Sequence, residues 1–153
     1  RGARGVKGIT LQGDDVVVGV CVVDESKTIL TVTEGGMGKR TLFSDFRQMK
    51  NRGGSGVICH NISEKTGKLA GICAVEEQDD LMLITDQGTI IRTPVAGINT
   101  YSRSASGVIV MRLDEDQKIV NFTKVSPDEK KDEEQTENTE PTDIVVPVLE
   151  EDN

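Results

Sequence analysis

Residues 81–94 read Leu-Met-Leu-Ile-Thr-Asp-Gln-Gly-Thr-Ile-Ile-Arg-Thr-Pro and carry the clearest pattern of secondary structure in the chain. Two short runs rich in β-branched residues flank the sequence Asp-Gln-Gly at 86–88. Branched side chains favour extended strands, and glycine supplies the positive φ that a tight hairpin needs. The stretch therefore predicts a β-hairpin with strands at Leu81–Thr85 and Thr89–Thr93.

This hairpin is one copy of an internal repeat. Its Ile-Thr-Asp-Gln-Gly at 84–88 matches Val-Thr-Glu-Gly-Gly at 32–36, which lies 52 residues earlier. The Arg-Thr pair at 92–93 matches Arg-Thr at 40–41 with the same offset. Gly-Ile-Cys at 71–73 likewise follows Gly-Val-Cys at 19–21 by 52 residues. A period of about fifty residues indicates a repeat architecture in which each unit packs on its neighbours.

A second motif, an arginine followed four residues later by a glycine, recurs in each unit. It begins at Arg4, Arg52 and Arg103. Together the motifs define units at about 1–49, 50–101 and 102–125, which form one expected domain at 1–125. Four short strands in a unit of this length are typical of a propeller blade.

The remaining predicted strands are also short, rich in Val, Ile and Thr, and bounded by turn residues. They are Val16–Val23, Thr28–Thr33, Val57–Asn61, Leu69–Val75, Val108–Leu113 and Ile119–Val125. The predicted fold class is therefore all-β: a partial propeller of about two and a half to three blades.

The C-terminal segment 126–153 differs from the rest of the chain in charge. It holds 2 Lys or Arg against 11 Asp or Glu, whereas residues 1–125 hold 16 against 15, and the chain as a whole has a net charge of −8. An acidic segment with three prolines and no aromatic residue cannot bury enough apolar surface to offset its ordering entropy. We expect it to be a disordered acidic tail.

The sequence offers little for catalysis or metal binding. There is one histidine, His60, and the three cysteines have no Cys-x-x-Cys spacing, so no catalytic, cofactor or metal site is expected. Tyr101 is interpreted as structural. An odd number of cysteines favours reduced thiols in the cytoplasm, and no apolar run is long enough to cross a membrane. The chain begins at Arg1 and is expected to be a piece of a longer protein.

The order of these motifs resembles the C-terminal domain of the DNA gyrase A protein. Five stretches carry the resemblance, which runs from Arg1 to about Val125: 4–9, 14–19, 38–41, 52–57 and, above all, 81–94. The family's basic box has the form Gln-Arg-Arg-Gly-Gly-Lys-Gly. Here the nearest stretch is Lys-Asn-Arg-Gly-Gly-Ser-Gly at 50–56, which we interpret as a degenerate copy in a later blade.

The resemblance implies a six-bladed β-pinwheel, a propeller-like disc with strands exchanged between adjacent blades, whose basic rim wraps duplex DNA. It also implies an acidic tail that modulates wrapping. The implied partners are duplex DNA, the N-terminal catalytic domain of gyrase A, and the gyrase B protein in an A2B2 assembly located in the bacterial cytoplasm at the nucleoid. ATP and Mg²⁺ would serve other parts of that holoenzyme during negative supercoiling.

Wrapping without sequence preference needs phosphate contacts distributed along a rim, and recurring arginines beside glycines would supply them. The candidate DNA-binding residues share a basic side chain in or beside the repeated motifs. They are Arg4, Lys7, Lys39, Arg40, Arg47, Lys50, Arg52, Arg92 and Arg103.

Three alternatives remain open at this point. Arg40 and Arg92 could instead hold neighbouring blades together through carbonyl or carboxylate groups. The chain could belong to the related protein of topoisomerase IV, which has a similar pinwheel. It could also be a propeller that binds protein partners. Because the chain has no Trp, one Tyr and three Phe, duplex binding is favoured over single-strand binding, which relies on aromatic stacking.

Overall fold

The computed structural model describes residues 2–127. The tail predicted at 126–153 therefore lies almost entirely outside the described residues. Within the described part, no helix is both long and apolar enough to cross a lipid bilayer.

Seven strands and two 3-10 turns make up the regular structure of residues 2–127. The strands are β1 Thr28–Thr33, β2 Met37–Leu42, β3 Leu69–Val75, β4 Asp80–Thr85, β5 Ile90–Pro94, β6 Val108–Ile109 and β7 Ile119–Val125. The 3-10 turns at Phe43–Asp45 and Val95–Gly97 each follow the second strand of a hairpin. The all-β prediction is confirmed.

The strands form two antiparallel sheets that are built alike. The first sheet has the order β3-β1-β2-β6, and the second has the order β5-β4-β7. In each, a tight hairpin pairs with a strand that comes from further along the chain, β3 in the first sheet and β7 in the second. The first sheet therefore combines strands from all three repeat units, and the second sheet combines strands from the second and third units.

The hairpin turns follow directly from the sequence. Gly36 and Gly88, which lie 52 residues apart, both have φ of 80°. At Gly36 a Cβ atom would lie 2.3 Å from the carbonyl oxygen of Met111, whereas at Gly88 nothing lies within 4 Å. The first turn needs glycine for both conformation and space, and the second for conformation alone.

Several strand predictions need correction. Val16–Val23 and Val57–Asn61 form no strand, the predicted Val108–Leu113 shortens to β6, and β2 was not predicted. The segment Val16–Val23 occupies the same repeat position as β3, and β3 pairs with a hairpin that lies about forty residues earlier. Among residues 2–127 no strand pairs with Val16–Val23, and the valines of this segment are exposed.

The core lies between the two sheets. Leu30 and Val32 of β1 are fully buried in one cluster with Leu81 and Leu83 of β4. Because side chains alternate along a strand, β1 contributes its even-numbered residues and β4 its odd-numbered ones. The sheets therefore pack with opposite faces, as successive blades of a propeller do.

A cavity of about 810 Å³ lies on the other face of the first sheet. Ile29, Thr31 and Ile72 line it, and their repeat equivalents in the second sheet, Leu81, Leu83 and Phe122, belong to the core cluster or pack against it. The first sheet thus presents the same kind of packing surface that the second sheet buries.

Candidate nucleic-acid interface

Residues 47–54 form a concave, positively charged surface that we call the basic loop. It encloses a cavity of about 520 Å³. Arg47, Lys50 and Arg52 line this cavity and are exposed, and none of them forms a salt bridge with another of the residues 2–127. No acidic residue lines the cavity. The surface can therefore accept anionic groups without first breaking an ion pair.

Two glycines set the shape of the basic loop, one inside it and one two residues after its end. Gly53 and Gly56 both have φ of 79°, a conformation that a side chain disfavours. The Gly53 amide donates to the carbonyl oxygen of Gly8 at 3.0 Å, and the Thr10 amide donates to that of Gly54 at 2.9 Å. These bonds join the repeat motif of the first unit to that of the second.

This pairing brings Lys7 to the basic loop. A Cβ atom added at Gly53 would lie 3.7 Å from the Cβ atom of Lys7. Arg4 is also exposed and lies three residues earlier on the same segment. Gln48 and Asn51, which were not predicted from the sequence, line the cavity as well and carry amide groups that can donate hydrogen bonds. Their position in the sequence between Arg47, Lys50 and Arg52 is the feature that could have indicated them.

Lys39 does not belong to this exposed surface, which corrects its assignment as a DNA contact. Its side chain is fully buried, and its Nζ donates to the carbonyl oxygens of Ser102 and Arg103, both at 2.6 Å. Burial lowers the pKa of Lys39, and the positive charge of Arg103 adds to the effect. An ammonium group held in this way supports the chain around it and is not presented to a ligand.

Arg40 and Arg92 are each engaged by the protein. The Nε atom of Arg40 donates to the carbonyl oxygen of Ile98 at 2.5 Å. The Nε atom of Arg92 lies 2.9 Å from a carboxylate oxygen of Asp80, which belongs to the neighbouring strand of the same sheet. Arg40 thus joins two repeat units, as the structural alternative stated, whereas Arg92 bonds within its own hairpin and joins no two units.

Arg103 also points into the protein. Its Nη1 atom donates to the carbonyl oxygen of Ile58 at 2.8 Å, and its Cζ atom lies 5.9 Å from the centre of the Phe46 ring. The side chain is only partly exposed. The nine candidates thus divide into an exposed group at the basic loop and the Arg4–Lys7 segment, and four residues that bond within the fold.

Buried polar side chains extend the contacts around Lys39. His60 is 4% exposed; its Nδ1 lies 2.9 Å from the Thr31 hydroxyl and its Nε2 lies 3.0 Å from the Ser106 carbonyl oxygen. Because a carbonyl only accepts, Nε2 carries the hydrogen and Nδ1 accepts from the hydroxyl. Burial lowers the pKa of His60, and the charge of Lys39 adds to this.

The thiols show no sign of activation. Burial raises the pKa of Cys21 and Cys59, and it raises that of Cys73 to about 12. A thiol with a raised pKa stays protonated and is a poor nucleophile. Among residues 2–127, no three His, Cys, Asp or Glu side chains come together in a group that could hold a metal ion.

Comparison with known families gives one matching model, described as the DNA gyrase C-terminal domain, a β-propeller. It matches residues 1–24, 27–73 and 79–126. The matched segment 27–73 covers β1, β2 and most of β3 in the first sheet. The matched segment 79–126 covers β4, β5 and β7, which form the second sheet.

Curated relatives and solved structures agree with this match. The chain is 42% identical over 141 residues to the DNA gyrase A protein of Staphylococcus aureus strain MRSA252, and 41% identical over 133 residues to that of Aminobacterium colombiense. These alignments cover 91% and 87% of this chain but 16% of each relative.

Two solved structures have similar folds. A DNA gyrase A C-terminal domain superposes with a TM-score of 0.73 at 30% identity, covering 81% of this chain and 42% of that one. The C-terminal domain of a DNA topoisomerase IV also gives a TM-score of 0.73, at 21% identity, covering 88% and 43%. The second likeness concerns the fold alone.

Proposed function

The chain belongs to the family of DNA gyrase C-terminal domains, which are parts of type IIA topoisomerases, and we propose that it binds duplex DNA without sequence preference and helps to wrap it. The observation that carries this proposal is the basic loop. Three exposed cations surround a concavity that contains no acidic side chain. Phosphate contacts of this kind release counterions whatever the base sequence is.

The backbone of the basic loop supports the same function. Gly53 and Gly54 place no side chain between the main chain and a ligand, so backbone amides can approach a phosphate closely. The adjoining Arg4–Lys7 segment continues the positive surface. Duplex DNA is the favoured ligand because aromatic side chains, which stack on the bases of single strands, are few.

The gyrase assignment is favoured over topoisomerase IV by sequence identity. Among the solved structures, the gyrase A domain is 30% identical to the chain and the topoisomerase IV domain is 21% identical, and the curated gyrase relatives are 42% and 41% identical. Within a gyrase, wrapping of duplex DNA beside the catalytic domain would support negative supercoiling powered by ATP in the gyrase B protein. Because the chain spans 16% of its curated relatives, this activity is proposed for the holoenzyme and not for the chain alone.

The acidic tail adds a regulatory element to the proposal. Residues 126–153 carry 2 Lys or Arg against 11 Asp or Glu, so the segment could compete with DNA for the basic surface. Deletion of 126–153 is expected to tighten duplex binding most at low salt, where charges are least screened. Unchanged affinity at low salt would count against such competition.

Duplex binding by the full-length protein tests the main proposal. Two linear duplexes of unrelated sequence should bind equally well, with an affinity that falls steeply as the salt concentration rises. Arg52→Gln should make the slope of log K against log salt shallower by about 0.9, the value for one phosphate contact. Binding that is absent or insensitive to salt would instead favour a propeller that binds protein partners.

A further inference from the structure

The Arg103 side chain contacts both sides of the basic loop. Its guanidinium lies over the ring of Phe46, the residue immediately before the loop. The same guanidinium donates to the carbonyl oxygen of Ile58, four residues after the loop ends at Gly54. One side chain from the third repeat unit therefore connects the two ends of a loop that spans the boundary between the first and second units.

We propose that Arg103 is a positioning residue, which ties the ends of the basic loop so that Arg47, Lys50 and Arg52 face DNA together. This inference rests on the proposed function, because it assigns a role in DNA binding to a residue that does not itself reach the DNA. Fixing a loop in its bound shape lowers the conformational entropy lost on binding.

Lys39 of β2 holds the backbone of Arg103 in place. Both carbonyl oxygens that Lys39 binds, those of Ser102 and Arg103, belong to this region. An ammonium group has three donors, and two of them are used here. Hydrogen bonds from a charged donor are stronger than neutral ones, which fits the complete burial of Lys39. The contact fixes the point from which the Arg103 side chain extends.

The segment that follows Ile58 is held against the same region. The Asn61 amide donates to the carbonyl oxygen of Ala105 at 3.2 Å, and His60 bonds the carbonyl oxygen of Ser106 through Nε2. The opposite ring nitrogen of His60 meets Thr31 of β1. The downstream end of the basic loop is therefore anchored to both the third unit and the first sheet.

Arginine suits this role better than lysine does. A planar guanidinium can donate in its plane and pack its face on an aromatic ring at the same time, whereas an ammonium is a compact point charge. The substitution Arg103→Lys keeps the charge and removes this geometry. A phosphate contact would tolerate the change, but a positioning contact would not.

The test uses the full-length protein with Arg103→Lys and Arg103→Gln, a linear duplex as the probe, and amide hydrogen exchange as a second readout. Both variants should bind the duplex about tenfold more weakly, the loss expected from one hydrogen bond and one cation–π contact. Amides of residues 47–58 should exchange faster in both, while those of β4 and β7 should not change. Wild-type affinity or wild-type exchange in Arg103→Lys would overturn the inference.

Arg52 provides the matched control. As a direct phosphate contact, it should tolerate replacement by lysine, and Arg52→Gln should weaken binding without faster exchange in the loop. If Arg52→Gln weakens binding and Arg103→Lys does not, the positioning role fails while the proposed function stands. If the wild-type protein itself binds no duplex, or binds it without dependence on salt, the proposed function fails whatever the variants do.

A second variant covers the case in which Arg103→Lys does not fold. Phe46→Leu leaves Arg103 and its hydrogen bond to Ile58 intact and removes only the ring beneath the guanidinium. It should weaken duplex binding about threefold, the share of one cation–π contact, and speed exchange of the basic loop. Unaltered binding and exchange in this variant would overturn the positioning role.

Discussion

Two loops at the same repeat position are used in opposite ways. Residues 52–56 read Arg-Gly-Gly-Ser-Gly, and residues 103–107 read Arg-Ser-Ala-Ser-Gly. The first loop exposes its arginine beside an open concavity. The second turns its arginine inward and bonds to the protein through the carbonyl oxygens of residues 102, 103, 105 and 106. Equivalence in a repeat therefore predicts where the chain turns, but it does not predict what the side chain binds.

The attachment of the second loop depends on two buried polar residues, Lys39 and His60. Lys39 and His60 correspond, one repeat later, to Ile91 and Met111, which are apolar and pack in or against the core cluster. A buried polar group must find a partner, and the carbonyl groups of residues 102–106 supply one. The polar pair thus creates the attachment that holds the second of the two loops.

The largest change in the free energy of unfolding is expected from substitution of the glycine at the end of each loop, Gly56 and Gly107. Both have positive φ, but a Cβ atom on Gly107 would lie 2.4 Å from the carbonyl oxygen of Gly38, whereas on Gly56 the nearest atom would be the end of a flexible Ile9 side chain at 3.6 Å. Gly107→Ala should lower the free energy of unfolding by about 3 kcal/mol, and Gly56→Ala by about 1 kcal/mol. Denaturant unfolding measures both, and equal losses would contradict a held second loop.

The next effect removes the attachment itself. Lys39→Met leaves two carbonyl oxygens without their donor, and it should lower the free energy of unfolding by about 2 kcal/mol. The control is Ile91→Met at the equivalent site, where a swap between apolar residues of similar size should cost less than about 1.5 kcal/mol. If Lys39→Met is as stable as the wild type, the buried ammonium does not hold the loop.

A smaller effect is expected on the stability of the fold at acidic pH. Because the pKa of His60 is lowered by burial and by Lys39, the unfolded chain binds more protons than the folded one below about pH 6.5, the ordinary histidine value. Stability from the neutral ring is therefore lost as the pH falls below that value, by at most about 1.4 kcal/mol per pH unit.

The control for this pH dependence is His60→Met, which introduces the residue found at the equivalent position 111. Exposed carboxylates such as Glu76, whose pKa is lowered by its hydrogen bond to Lys27, lose stabilisation in acid in both proteins. The difference between wild type and variant from pH 7 to pH 5 isolates the histidine. Parallel curves would mean that His60 titrates alike in the folded and unfolded states.

The sequence predicts the backbone of this fold better than the roles of its side chains. The two hairpin turns could be predicted because Gly36, Gly88 and the flanking β-branched residues act locally, although the strand β2 after the first turn was not predicted. The segment Val16–Val23 was predicted as a strand from the same local pattern, but pairing depends on a second segment at a distance.

Among the candidate site residues, the exposed lysines and arginines of the basic loop could be predicted from their glycine-rich context. The burial of Lys39 could not be predicted directly, because it depends on carbonyl groups more than sixty residues away. The sequence did contain one indication that both side chains are buried: Lys39 and His60 occupy positions at which the next repeat has the apolar residues Ile91 and Met111.

A matched pair of charge changes can show whether the basic loop is the surface that binds DNA. One variant replaces Arg47, Lys50 and Arg52 with glutamine. The other replaces Lys65, Arg112 and Lys118 with glutamine, and these residues are also exposed. They lie near the turns of the two hairpins, whereas the basic loop follows the other end of β2. Backbone hydrogen bonds place them there, because Gly35 and Asp86 donate to Thr66 and Lys118, and Met111 donates to Gly36.

Both variants lose three positive charges, so any difference between them reflects position. In a titration of full-length protein with linear duplex, the loop variant should make the slope of log K against log salt shallower by about 2.7, three times the value of about 0.9 for one phosphate. The hairpin-turn variant should change the slope by less than about 0.9. Equal changes in the two variants, or a larger change from the hairpin-turn variant, would contradict the account.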